Sequence, residues 1–93
     1  MSDTYQKGME VRRSVLGEAH VDRAEANKTP LDEAFQTLIT EGAWGSVWAR
    51  DQFSKRERSI VTLALLAGQG NWEEIAMHVR ATKNTGATPE DMI

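Results

Sequence analysis

Apolar side chains recur along this chain at helical intervals, and the residues between them are helix punctuation. Asp3 can cap a first helix that carries Met9, Arg12, Arg13 and Leu16 and closes at Gly17. Residues 17–28 are polar and aperiodic and read as a loop with room for a helical turn. Thr29-Pro30 sets an N-cap residue before proline at the first helical position. Leu31, Phe35, Leu38 and Ile39 then define one stripe, expected to be buried. At about 100° per residue the stripe changes phase after residue 40, where Trp44 and Trp48 point to the side that carries Glu41. Gly42 and Gly45 mark this as a break: the helix bends, or it buries a second face.

Ser54-Lys55-Arg56-Glu57 is a capping box opening the most apolar helix, Ile60 through Ala67, which Gly68 is expected to end. Apolar on most sides, that helix should be central or covered by a second subunit. Asn71-Trp72-Glu73-Glu74 opens another helix, with Ile75, Val79 and Thr82 inward and Gly86 as its stop. Thr88-Pro89-Glu90-Asp91 starts one more, one turn before Ile93; a single turn is not stable alone, so the domain is expected to be truncated before its C-terminal helix. Alternating runs and Asn-Gly or Asp-Gly hairpins are missing. The pattern predicts an all-α fold with helices near 4–16, 30–48, 55–67 and 72–84.

Length and composition narrow this picture. Ninety-three residues make one domain, 1–93. A chain this short buries only about 60% of its unfolded surface. Without cysteine it has neither disulfide staples nor thiol chemistry, so association into a homo-oligomer is the expected source of extra stability. Eleven basic against fourteen acidic side chains leave a net charge of −3, which argues against a nucleic-acid partner. No apolar run approaches the roughly 18 residues of a membrane span, and the start has no signal-peptide pattern; the cytoplasm is the expected compartment.

Phosphate-binding glycine loops, His-Glu-x-x-His zinc motifs and nucleophile elbows are missing, and no metal is expected. His78 lies at the edge of the Ile75–Val79–Thr82 stripe, four residues after Glu74, a carboxylate placed to favour the protonated ring. It reads either as a proton carrier or as a helix histidine at a boundary. His20 lies in the polar stretch, where functional and idle solvated residues both collect. Glu41, Trp44 and Trp48 fall at i, i+3 and i+7; a carboxylate against two indoles should lose hydration and titrate higher, unless the face is simply core. Arg50 suits a substrate carboxylate or the end of its own helix.

Three segments taken together carry a resemblance: Arg13-Ser14-Val15-Leu16-Gly17-Glu18-Ala19-His20-Val21-Asp22-Arg23, then Thr40-Glu41-Gly42-Ala43-Trp44-Gly45-Ser46-Val47-Trp48, then His78-Val79-Arg80-Ala81. In this order they resemble the carboxymuconolactone decarboxylase family, from about Tyr5 to the end. The resemblance implies an AhpD-like all-α fold, no cofactor, and assembly as a ring, a trimer or hexamer. It also implies decarboxylation of 4-carboxymuconolactone to 3-oxoadipate enol-lactone in protocatechuate catabolism. On that reading Trp44 and Trp48 form an apolar wall, Arg23 or Arg50 clamps the retained carboxylate of the lactone, His78 or Glu41 donates a proton, and His20 polarises the lactone oxygen. The related AhpD-like peroxidases carry Cys-x-x-Cys-x-x-x-His; here those positions are Asn71, Glu74 and His78, so likeness to that branch extends to fold only.

Overall fold

Helices alone build the described residues, 2–93, of the computed structural model; no strand occurs among them. In chain order these are α1 (Asp3–Leu16), α2 (Glu18–Ala26), α3 (Glu33–Ile39), a π-helix (Thr40–Trp48), α4 (Lys55–Gln69), α5 (Trp72–Thr85) and α6 (Pro89–Met92). The all-α expectation holds. The chain divides into two compact units, Met1–Asp51 and Gln52–Ile93.

In the first unit Ser2, not Asp3, caps α1: its Oγ accepts the Tyr5 N–H at 3.1 Å, while Asp3 sits in the first turn, where an acid complements the helix dipole. The buried face of α1 is Tyr5, Gly8, Arg12 and Val15, spaced by three and four residues, with Val11 beside it. Gly8 lets α1 lie directly on the π-helix. A Cβ there would stand 2.1 Å from the Thr40 carbonyl oxygen, and one at Gly45 would stand 2.4 Å from that of Thr4. Backbone meets backbone at this crossing, with no side chain between.

Three expectations are corrected here. The polar stretch after Gly17 is a helix, α2, rather than a loop. Its one fully buried side chain, Val21, gives no periodicity to read, and much of its bracing comes from α1: Arg13 Nη1 donates to Glu18 Oε2 at 2.6 Å and to Asp22 Oδ1 at 2.8 Å. The next helix starts at Glu33 instead of Pro30, because Asp32 Oδ1 accepts from both the N–H (2.8 Å) and the hydroxyl (3.2 Å) of Thr29 and closes a turn first. The Leu31, Phe35 and Leu38 stripe, expected inside, is 94%, 59% and 66% exposed, and Ile39 is half-buried. Helical spacing gathers these side chains on one side; it does not supply an element to cover them.

The phase change after residue 40 accompanies a widening into a π-helix, and the second of the two alternatives holds: the face carrying Trp44 and Trp48 is buried, and the element packs on α1. A π turn takes an extra residue, and Ser46 Oγ donates to the carbonyl of Glu41, five residues back, at 2.8 Å. Thr40, almost fully buried, donates to the Gln36 carbonyl, four residues back, at 2.9 Å.

The second unit opens with the expected capping box: Ser54 Oγ accepts the Glu57 N–H at 3.1 Å, and Glu57 Oε1 accepts the Ser54 N–H at 2.7 Å. Gly68 does not end α4. The stop is Gly70, whose φ of 71° is the left-handed geometry that a C-terminal glycine supplies, and Gly68 is carried inside the helix. The inward face of α5 is also corrected: His78, Ala81 and Thr85 are buried, whereas Ile75 and Thr82 are half-buried and Val79 is exposed. Thr85 Oγ1 donates to Ser59 Oγ of α4 at 3.0 Å in a buried pair. Thr88 and Asp91 cap α6 reciprocally, and Arg56 of α4 holds Asp91 with Nε to Oδ2 at 2.8 Å and a second contact from Nη2 to Oδ1, keeping that carboxyl below its ordinary range. Ile60, Leu63, Ala64, Ala67, Trp72, Ile75, Val79, Asp91 and Met92 line a groove of about 340 Å³ between these helices. Val61 and Leu65 of α4 face outward, so within the chain this helix is not enclosed.

Candidate functional site

Six of the seven candidate residues lie in the first unit. Trp44 and Trp48, one π-helical stretch apart, are both buried, with ring centroids 5.2 Å apart and planes tilted by 38°. The two rings pack against each other in the core, and the tilt is a geometry that aromatic pairs favour. Glu41, half-buried at the start of the same π-helix, accepts from Ser2 Oγ at 3.2 Å through Oε2. Ser2 thereby joins the cap of α1 to the π-helix. Arg50, just beyond the π-helix, is exposed, and its N–H donates to the Val47 carbonyl at 3.1 Å.

His20 and Arg23 ride on α2 and so sit on a helix instead of a loop; His20 is half-buried and Arg23 exposed. Their presentation depends on Gly17, whose φ of 96° turns the chain between α1 and α2 in a geometry that favours glycine.

His78 belongs to the second unit, on the buried face of α5, and is 7% exposed. Burial pushes its pKa below the ordinary 6.5, and the opposing pull of Glu74 does not make up the difference. The expectation that Glu74 would favour the protonated ring is thus corrected: desolvation of the imidazolium outweighs one carboxylate a turn away.

Sequence reasoning passed over Arg12. It takes the third position of a three-and-four spacing that runs through Tyr5, Gly8 and Val15, and its side chain is 7% exposed. Nη2 donates to Gln36 Oε1 of α3 at 3.3 Å, and Glu25 Oε1 of α2 stands 3.8 Å from Nη1. The signal was an arginine in register with the buried positions of an amphipathic helix. Among the described residues no group of three or more histidines or carboxylates is arranged to hold a metal ion, and no helix is long and apolar enough to cross a membrane.

Comparison with known proteins adds the following. The sequence model of the carboxymuconolactone decarboxylase family matches residues 33–93. A 4-carboxymuconolactone decarboxylase of Acinetobacter baylyi is 42% identical over 88 residues, covering 95% of this chain and 66% of that protein. A nitrosuccinic acid decarboxylase of Metarhizium robertsii is 43% identical over 84 residues, covering 90% of this chain and 59% of that protein. A 4-carboxymuconolactone decarboxylase of Pseudomonas putida is 49% identical over 41 residues, 44% of this chain and 85% of its own length. The chain therefore spans less than two thirds of the length of the first two relatives. No solved structure gives a significant match.

Proposed function

The chain belongs to the carboxymuconolactone decarboxylase family, and on that premise we propose that it decarboxylates 4-carboxymuconolactone to 3-oxoadipate enol-lactone, without a cofactor, in protocatechuate catabolism. The observation that carries this reading is the 42% identity, over 95% of the chain, with a protein named for that reaction. We take residues 1–93 as one catalytic domain acting in the cytoplasm on a small lactone carboxylate, with no nucleic-acid or membrane partner. The domain associates as a homo-oligomer, a ring such as a trimer or hexamer; the outward Val61 and Leu65 of α4 support that association.

The chemistry needs no external electron sink. When the C–C bond to the departing carboxylate breaks, its electron pair passes through the ring double bond into the conjugated lactone carbonyl. CO2 leaves, and the furanolate that remains takes one proton on carbon. A dry wall at the departing carboxylate favours that step, since charge leaves the group as it becomes CO2; Trp44 and Trp48 are suited to it. His20 polarises the lactone oxygen, and Arg23 or Arg50 holds the retained carboxylate. His78 donates the proton, with Glu41 as the next candidate. With its pKa lowered, His78 is mostly neutral near pH 7, so turnover limited by imidazolium should rise as the pH falls toward that pKa.

The nitrosuccinic acid decarboxylase, 43% identical, favours a second reading: a different acid on the same scaffold. Both substrates pair a departing carboxylate with an electron sink and keep another carboxylate. Incubation with each acid in turn, following CO2 release, tests both readings. One CO2 per 4-carboxymuconolactone consumed is the expected result; release from nitrosuccinate alone would move the chain to the second reading, and release from neither would end both.

A further inference from the structure

Glu41, Trp44 and Trp48 all ride on the π-helix, a rare element that runs for nine residues here. Its pitch decides which of them share a face. At about 100° per residue an α-helix would set Glu41 within about 60° of both indoles, a carboxylate carried into the core with them. A π turn holds more residues than an α turn, so each successive side chain lags. Over the seven residues from Glu41 to Trp48 the lag reaches roughly a third of a turn. The two indoles, only four residues apart, stay together and buried, with centroids 5.2 Å apart. Glu41 parts from them. It is half-buried, and its Oε2 accepts from Ser2 Oγ at 3.2 Å beside the cap of α1.

Two features hold this pitch. A π-helix pairs each carbonyl with the N–H five residues on, which matches Thr40 with Gly45 and Glu41 with Ser46. A Cβ on Gly8 would strike the Thr40 oxygen at 2.1 Å and the Gly45 nitrogen at 2.8 Å, so α1 seats directly on the Thr40–Gly45 pair. At the Glu41–Ser46 pair the Ser46 hydroxyl adds a second donor, Oγ to the Glu41 carbonyl at 2.8 Å. Hydroxyls elsewhere follow the pitch of their own helices. Ser14 reaches the Val11 carbonyl at 2.8 Å, Thr82 that of Val79 at 2.7 Å and Thr40 that of Gln36 at 2.9 Å, three or four residues back. Ser46 reaches five.

We propose that Ser46 is a positioning residue for Glu41: its hydroxyl fastens the π pitch that sends Trp44 and Trp48 inward and presents the Glu41 carboxyl outside their face. A carboxyl that hands a proton to a substrate must reach it and be recharged from water. Half-buried against Ser2, Glu41 can do both; packed among indoles it could do neither. The assignment rests on the decarboxylase reading, in which Glu41 is a proton candidate, and applies to either acid considered above. Ser46 touches no substrate and acts through Glu41, so its loss belongs in kcat and leaves KM near the parent's.

The test is Ser46→Ala in the full chain, with Ser46→Thr as the variant that keeps the hydroxyl. Ser46 is exposed, so both should melt close to the parent. The indole Nε–Hε resonances of Trp44 and Trp48 are followed by NMR as the carboxylates protonate, with Glu41→Gln marking the movement that Glu41 causes. In the parent that movement should be close to nil. In Ser46→Ala both indoles should follow the protonation of Glu41, and kcat should fall about two- to tenfold, the population shift that one net hydrogen bond allows. Ser46→Thr should restore both readings. A merely structural Ser46 would lower the melting temperature without coupling the indoles to Glu41. The assignment is overturned if the parent's indoles already follow Glu41, if Ser46→Ala leaves the indoles or, in an active chain, kcat as in the parent, or if Ser46→Thr fails to restore them. Indoles that follow Glu41 in Ser46→Ala, in a chain whose parent decarboxylates neither acid, uphold the placement and remove the reaction.

Discussion

Where α1 crosses the π-helix, the first unit sets backbone on backbone and buries Tyr5, Val15, Val21, Trp44 and Trp48. The second unit does the reverse: α4 and α5 bury Ser59, His78 and Thr85 alongside Leu63 and Ala81, and turn Val61, Leu65 and Val79 to the outside. Apolar burial is the main favourable term in folding, at about 25 cal/mol per Å². The first unit collects that term where α1 crosses the π-helix, although its Leu31, Phe35 and Leu38 stay outside. The second spends its interior on small and polar side chains and leaves much of its apolar area uncovered. The first should therefore fail when its fit is disturbed, and the second when a polar partner is removed.

The largest expected effect is on the second unit's buried polar face. His78→Gln should lower decarboxylation by about 10²–10⁴-fold if the imidazole donates the proton, while glutamine keeps hydrogen-bonding groups in place. Turnover and melting temperature measured together separate the roles: activity lost only in step with stability would make His78 structural, and parent-like turnover would pass the proton to Glu41, to be tested by Glu41→Gln. Next in size is Gly8→Ala. Its methyl meets the Thr40 carbonyl, so urea denaturation should show a loss of about 3 kcal/mol or more, whereas Gly42→Ala, with open space around it, should be neutral or slightly stabilising. Equal midpoints for the two would contradict the backbone crossing.

Thr85→Val should cost about 1–2 kcal/mol, because it leaves the buried Ser59 hydroxyl without its partner. If the double variant with Ser59→Ala is no more stable than Thr85→Val, the pair is not coupled. Acid should reveal the same interior. The unfolded chain binds a proton at the ordinary pKa of 6.5 and the folded chain only lower, so folding stability falls as the pH drops through 6.5 and levels below the folded pKa. Melting curves of the parent against His78→Gln over this range should diverge below pH 6.5, and parallel curves would remove His78 as the cause. The smallest effect on folding is expected at Leu65→Lys, within about 0.5 kcal/mol, since the side chain is already exposed. Sedimentation should nonetheless shift toward the monomer; an unchanged species would separate this face from assembly.

Helix existence was legible wherever caps and spacing agreed, as at Ser54–Glu57 and Asn71–Glu74. It failed at α2, whose bracing from Arg13 comes from another element and leaves no local mark. Burial was harder to read than helicity. Leu31, Phe35 and Leu38 have the right spacing for a core face but stand outside, while the polar His78 and Thr85 are inside beside Ala81. Of the candidate site, the Trp44–Trp48 pairing was visible at i, i+4, and the π-helical cause of the phase change was not, because an inserted residue per turn looks in sequence like a bend. Arg12 was hidden by the habit of reading arginines as solvated, although its register with Tyr5, Gly8 and Val15 was in plain view.

The Gly8–Gly45 crossing also bears on how mutational tolerance is interpreted. If every position were randomised and survivors counted, both glycines would rank among the most intolerant sites, beside any group that handles a proton. Yet neither contributes an atom that a substrate could use. Abundance and turnover would drop together at these two positions, whereas a proton donor or a carboxylate anchor loses turnover at near-normal abundance. Scoring the two readouts on separate axes would sort the chain's sensitive residues into those that shape the scaffold and those that act on the acid it receives.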